Sequence, residues 1–181
     1  MTSLQSDTAL HPRPSLVRAA EWLDRHAGRL AMAFIFAFLV SGIASLDEYG
    51  LTWDEGLGNH LFGERNFRFL TSLDSRYLDL TIPLAPRRQP DLAIEHSAES
   101  QYPFSYPGFV DLPPTATKYI FSYWLGWLNP IDGFHLYPVL LASAFLCALY
   151  RFSAPRLGKA VAFLAILFLG TAPRFWGDMH F

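Results

Sequence analysis

Seventeen consecutive residues without a charge, Leu30 to Leu46 (LAMAFIFAFLVSGIASL), constrain this chain more than any other feature. As a helix they rise about 25 Å, close to the roughly 30 Å hydrocarbon core of a bilayer. Two further charge-free stretches follow, Gly133–Tyr150 and Ala160–Pro173. Across 181 residues, 51% are hydrophobic and 17% charged, and the apolar residues are clumped. That pattern excludes a disordered chain and an ordinary water-soluble globule. A net charge of -2 offers no basic face for nucleic acid. Cys147 is the single cysteine, so there is no intrachain disulfide and no thiolate metal site to expect.

The expected fold is an all-α integral membrane protein with about three transmembrane helices, at 30–46, 133–150 and 160–173. A cleaved signal peptide is the rival reading of the first, but the segment before it is long and the apolar run exceeds a typical signal core. The third is the shortest and spans if Lys159 and Arg174 snorkel. Tyr119–Leu128 (YIFSYWLGWL) is too short to cross and is loaded with Tyr and Trp, so it reads as an interfacial helix. Asn129–Gly133 then reads as the turn into the second span.

Charge gives the orientation. Residues 1–29 carry Arg13, Arg18, Arg25 and Arg29, and the link 151–159 carries Arg151, Arg156 and Lys159 with no acid. Both are expected in the cytoplasm. The segment 47–132 holds twelve acids against six basic residues and is expected outside the plasma (inner) membrane. Residues 174–181 then begin a second outer loop, an arrangement expected of the N-terminal portion of a longer polytopic protein.

Within the first outer loop, Thr52–Leu70 places Trp53, Leu57, Leu61 and Phe62 at helical spacing, with Glu64 and Arg68 at i, i+4. This reads as an amphipathic helix on the membrane surface, begun by a Thr52/Glu55 capping box. From Thr81 to Pro114 seven prolines leave an irregular loop.

Asp54 and Glu55 are the sharpest chemical candidates, falling a few residues after the first span on the outer side. A carboxylate there can act as general base on an acceptor hydroxyl or hold a divalent cation on a phosphate. The plain alternative is that both acids start a helix. Lys118 and Arg174 lie where their cations could meet a lipid phosphate, or could simply anchor helix ends. His60 and His180 are both expected outside, a weak pair for a metal, and His96 has no identifiable partner. Tyr119, Tyr123, Trp124 and Trp127 read as an interface belt rather than a sugar platform.

Taken in order, Leu51–Glu55 (LTWDE), Asp111–Pro114 (DLPP) with Lys118 leading into aromatic residues, and Ala172–Phe181 (APRFWGDMHF) resemble one group. They are similar to the N-terminal part of the membrane glycosyltransferases of the GT-C fold, in particular the dolichyl-phosphate-mannose protein mannosyltransferase and aminoarabinose transferase superfamily. The resemblance runs from about Leu30 to Phe181. It implies transfer of a sugar from a polyprenyl-phosphate donor to an extracytoplasmic acceptor, with Asp54 and Glu55 at the catalytic centre and Lys118 and Arg174 on the donor phosphate. Members of that group have more spans and a continued second-loop motif, to which Asp178 does not align securely. The implied partners are membrane lipids, the lipid-linked sugar and a C-terminal part of the same enzyme; a fragment alone is expected to be inactive. The competing expectation is a small non-enzymatic membrane protein that binds a lipid or a partner protein.

Overall fold

A computed structural model of the chain describes residues 14–48, 60–79 and 110–179. The described residues are helical and contain no strand. The long elements are α1 (Pro14–Ala44), α2 (His60–Ser72), α3 (Leu112–Lys118), a π-helix (Tyr119–Trp124), α4 (Pro130–Leu157), α5 (Lys159–Gly170) and α6 (Pro173–Asp178). Short 3₁₀ turns lie at Leu46–Glu48 and Ser75–Leu78.

Helices α1, α4 and α5 form the bundle. Their directions follow from where they touch. A Cβ on Gly28 would lie 3.5 Å from Tyr150 Oη, and one on Gly42 would lie 2.8 Å from Val139 Cγ1, so α1 and α4 are antiparallel. Ala160 N donates to Asp24 Oδ1 at 3.3 Å, while Gly170 abuts Phe34, so α5 runs parallel to α1. The core between them holds Ala31, Ile35, Phe38, Leu146 and Ile166. A second cluster, Leu46, Leu136 and Val139, closes the end where the chain leaves α1.

Both long helices outrun their charge-free stretches. α1 begins at Pro14, well before Leu30, and α4 reaches Leu157. α4 also starts three residues before Gly133: Asn129 caps it by accepting from Asp132 N at 2.9 Å, and Pro130 occupies the first turn, where a missing N–H is harmless. The expected link at 151–159 therefore contracts to Gly158, whose φ of 88° suits glycine. Two helices, Val17–Ala44 and Pro130–Leu157, are long and apolar enough to cross a membrane. The third expected span is a 12-residue helix, α5, that stops at Gly170. Thr171 ends it by donating from Oγ1 to Leu167 O at 2.7 Å, and α6 begins after Ala172. Phe175 and Trp176 of α6 then pack on Phe38, and Met179 reaches Gly42.

The expected interfacial helix at Tyr119–Leu128 is instead a π-helix continuous with α3 that ends at Trp124. Tyr119 is buried in it, whereas Trp124 and Trp127 are exposed.

Candidate functional site

At the end of the bundle where α4 starts, α2 and α3 pack through polar faces. On α2 the residues are His60, Glu64 and Arg68, one turn apart; facing them are Asp111, just before α3, Thr115 and Lys118 on α3, and Tyr119, which opens the π-helix. All of these are buried. Gly63 allows the close approach, because a Cβ there would collide with Thr115 Oγ1 and lie 2.8 Å from Asp111 O. α2 thus departs from the expected surface arrangement: Glu64, Arg65 and Arg68 are buried along with Phe62, and Leu70 is exposed. Buried charge requires partners, and the neighbouring helix supplies them.

Glu64 is the hub. Its Oε1 accepts from Arg68 Nε at 2.7 Å and from the Tyr119 hydroxyl, and its Oε2 lies 3.4 Å from Lys118 Nζ. Burial alone would raise the Glu64 pKa, but the Lys118 charge, the Tyr119 hydrogen bond and Arg68 together outweigh it and lower it. Phe67 packs on the Tyr119 ring at 4.2 Å and fixes the phenol in place. Arg65 donates from Nη1 to Tyr77 O at 3.2 Å and Asp79 O at 3.0 Å, tying the chain after α2 back onto it.

Two more titratable groups complete the face. His60 stacks on Phe134 at 4.0 Å; burial first, then the nearby Lys118 and His135, lower its pKa well below 6.5, so it is neutral at pH 7. Its Nε2 has no hydrogen-bond partner among the described residues. The Asp111 carboxyl is pushed up to about 6 by burial, and its Oδ2 likewise has no partner among them.

The residues singled out from the sequence fall in different surroundings. Asp54, Glu55 and the Thr52 cap lie outside the described residues, as do His96 and His180. Lys118 is fully buried, its Nζ 3.4 Å from Glu64 Oε2. Arg174 is 93% exposed on α6 and pairs with Asp178, Nε to Oδ2 3.5 Å, one turn on. Beside it, an open groove of about 440 Å³ is lined by Pro138, Leu141, Phe145, Phe175, Asp178 and Met179. Among the described residues no group of three or more His, Cys, Asp or Glu is arranged to hold a metal ion.

Sequence reading missed the burial of Glu64 and Arg68, and it missed Asp111 and Tyr119 as members of the same face. The available signal was the pair of polar stripes, 60/64/68 and 111/115/118, each at helical spacing. No protein-family model, curated protein or solved structure matches this chain.

Proposed function

We propose that this chain is part of an integral membrane glycosyltransferase that moves a sugar from a polyprenyl-phosphate donor to an acceptor on the outer side of the plasma membrane. The observation that carries the reading is the placement of Lys118. It sits in a buried polar cluster at the end of the bundle where the chain departs at Glu48 and returns at His60, and the sequence between those two residues carries Asp54 and Glu55.

Membrane insertion is supported by what the apolar helices leave uncovered. Only 28% of the apolar window of α1 and 39% of that of α4 is buried, and Met32, Phe36, Phe145 and Phe168 point outward. In water such a surface is unfavourable; in lipid it is the rule. A third crossing is supported by matched heights. From Asp24 to Gly42, α1 rises about 27 Å at 1.5 Å per residue, and α5 with α6 follows it from Ala160 to Met179. In this reading the third span is a helix broken at Thr171–Ala172. Arg18, Arg25, Arg29, Arg151, Arg156 and Lys159 belong to the opposite end of the bundle, which supports a cytoplasmic N-terminus.

In the proposed reaction, the Asp54 carboxylate takes the proton of the acceptor hydroxyl. The acceptor oxygen bonds to the anomeric carbon as the carbon–oxygen bond to phosphate breaks, and the polyprenyl phosphate leaves with the electron pair. Lys118 and Arg174 supply cationic stabilisation to the leaving phosphate. Glu55 orients the acceptor. A divalent cation on the phosphate is compatible with the same carboxylates.

The test is transfer of labelled sugar from a polyprenyl-phosphate-linked hexose in membranes containing the full protein. Activity that falls at least a hundredfold in Asp54→Asn supports the assignment, and full activity in that variant removes Asp54 from it. A non-enzymatic membrane protein is the second reading; the Arg174–Asp178 pair, already matched on its own helix, favours it. Failure of the wild-type protein to bind polyprenyl phosphate would decide for that reading.

A further inference from the structure

The chain's net charge of -2 conceals a local excess of positive charge at the end of the bundle opposite the polar cluster. Arg18, Arg25 and Arg29 of α1 are all exposed. At about 100° per residue they and Trp22 fall within an arc of about 60° around the helix. The buried residues Ala27, Ala31, Ile35 and Phe38 lie on the far side, so this stripe points away from α4 and α5. Met32, Phe36, Val40 and Ile43, all exposed, continue it toward the other end of α1. One outward face therefore changes from apolar to basic along its length. Trp22, 51% exposed, stacks with His26 at 4.6 Å, and His26 Nδ1 lies 2.8 Å from Trp22 O, which holds the indole in the stripe. Among the described residues no ion pair neutralises the three arginines; Arg25 Nε donates to the backbone oxygen of Glu21 at 3.2 Å. Of the two acids on this stretch, Asp24 is turned toward α5, accepting from Ala160 N at 3.3 Å, and Glu21 sits beside the stripe.

We propose that the stripe Arg18, Trp22, Arg25 and Arg29 is a binding surface for anionic phospholipid headgroups of the cytoplasmic leaflet. A hydrocarbon core of about 30 Å, measured back from Ala44, ends about 20 residues earlier, near Arg25. Arg29 then reaches outward along its own stem, Arg25 and Trp22 lie at headgroup level, and Arg18 lies at the outer edge of that layer. Each guanidinium presents a planar fork of N–H groups matched to phosphate oxygens. A zwitterionic lipid brings its own cation to such a surface, whereas an anionic lipid brings net negative charge, so the stripe discriminates between them. The adjoining ends of α4 and α5 add Arg151, Arg156 and Lys159 and no acid, which deepens the positive field. This inference rests on the membrane-spanning reading and is independent of sugar transfer.

The experiment counts lipids retained by the full protein, using native mass spectrometry in micelles doped with equal amounts of phosphatidylglycerol and phosphatidylcholine. Wild type should prefer phosphatidylglycerol, and the triple variant Arg18→Gln, Arg25→Gln, Arg29→Gln should lower that preference about tenfold. Arg76→Gln is the control, an exposed arginine paired with Asp74 away from the stripe, and should match wild type. Raised salt should weaken the wild-type preference, because exposed charges are screened, and a preference that salt does not move overturns the proposal. If the triple variant does not fold, the single variants Arg25→Gln and Arg29→Gln carry the test, each with a loss of about threefold. A stripe variant that keeps the wild-type preference, while Arg151→Gln, Arg156→Gln, Lys159→Gln abolishes it, overturns the assignment to α1. An integral protein that retains the two lipids equally overturns this inference alone. A protein that alkaline carbonate strips from membranes overturns the membrane reading with it.

Discussion

Replacing Asp111 with asparagine should stabilise this protein at neutral pH and flatten the dependence of its stability on pH. The carboxyl is buried at the start of α3, where Gly63 presses α2 against it, and its Oδ2 has no partner among the described residues. Burial lifts its pKa from 3.8 to about 6. Between those values the folded protein holds a proton that the unfolded chain has lost. Stability from this group is therefore complete below about pH 4 and lost as pH rises toward 6. A shift of about two units, at about 1.36 kcal/mol per unit, makes the ionised Asp111 a liability of about 3 kcal/mol at pH 7. Asparagine has nearly the same shape and no charge to bury. The measurement is equilibrium unfolding of wild type and Asp111→Asn in detergent micelles at pH 4 and pH 7. The stability of the variant relative to wild type should increase by about 2 kcal/mol between the two pH values. Parallel pH profiles would refute the reasoning, because they would mean that the folded protein leaves this carboxyl as well solvated as the unfolded chain does.

Gly63→Ala should cost about 1–3 kcal/mol in the same unfolding assay, since the new methyl meets Thr115 Oγ1 and the Asp111 backbone oxygen; an unchanged midpoint would show that α2 and α3 can move apart freely. Glu64→Leu should cost about 3–5 kcal/mol by leaving buried cations without their carboxylate, and adding Lys118→Met should recover part of that loss. Strict additivity in this double-mutant cycle would remove the coupling. Gly158→Ala, at φ 88°, should destabilise by about 1–3 kcal/mol through backbone strain at the only residue between α4 and α5. Tags at residue 1 and near Glu95 should report opposite faces of the membrane in a protease-protection assay, and the same face for both would overturn the proposed orientation.

How much could be read in advance varied with how local each feature is. The cores of α1 and α4 were legible because an uninterrupted apolar run is visible residue by residue. Their ends were not. Arg18, Arg25, Arg151 and Arg156 mark where the apolar surface stops, yet arginine is a good helix former, and the helices continue through all four. Pro138 and Pro155 do not interrupt α4. In α5 the apolar pattern runs on to Pro173, but the helix closes at Gly170, where Phe34 and Leu146 leave no room for a side chain and Thr171 takes over the last carbonyls.

The polar site divides in the same way. The spacing of Glu64 and Arg68 announced an ion pair, and the pair forms. Spacing could not reveal that it is buried, because its burial depends on Lys118 and Tyr119, which lie more than fifty residues further along the chain. Helical periodicity and apolar runs are properties of neighbouring residues, so the sequence by itself determined the helical class and the two helices long enough to cross a bilayer. Whether a charge faces water or another charge is decided only when distant segments meet. Tertiary structure alone therefore turned an apparent surface helix into one wall of a buried polar cluster, and placed Lys118 inside it.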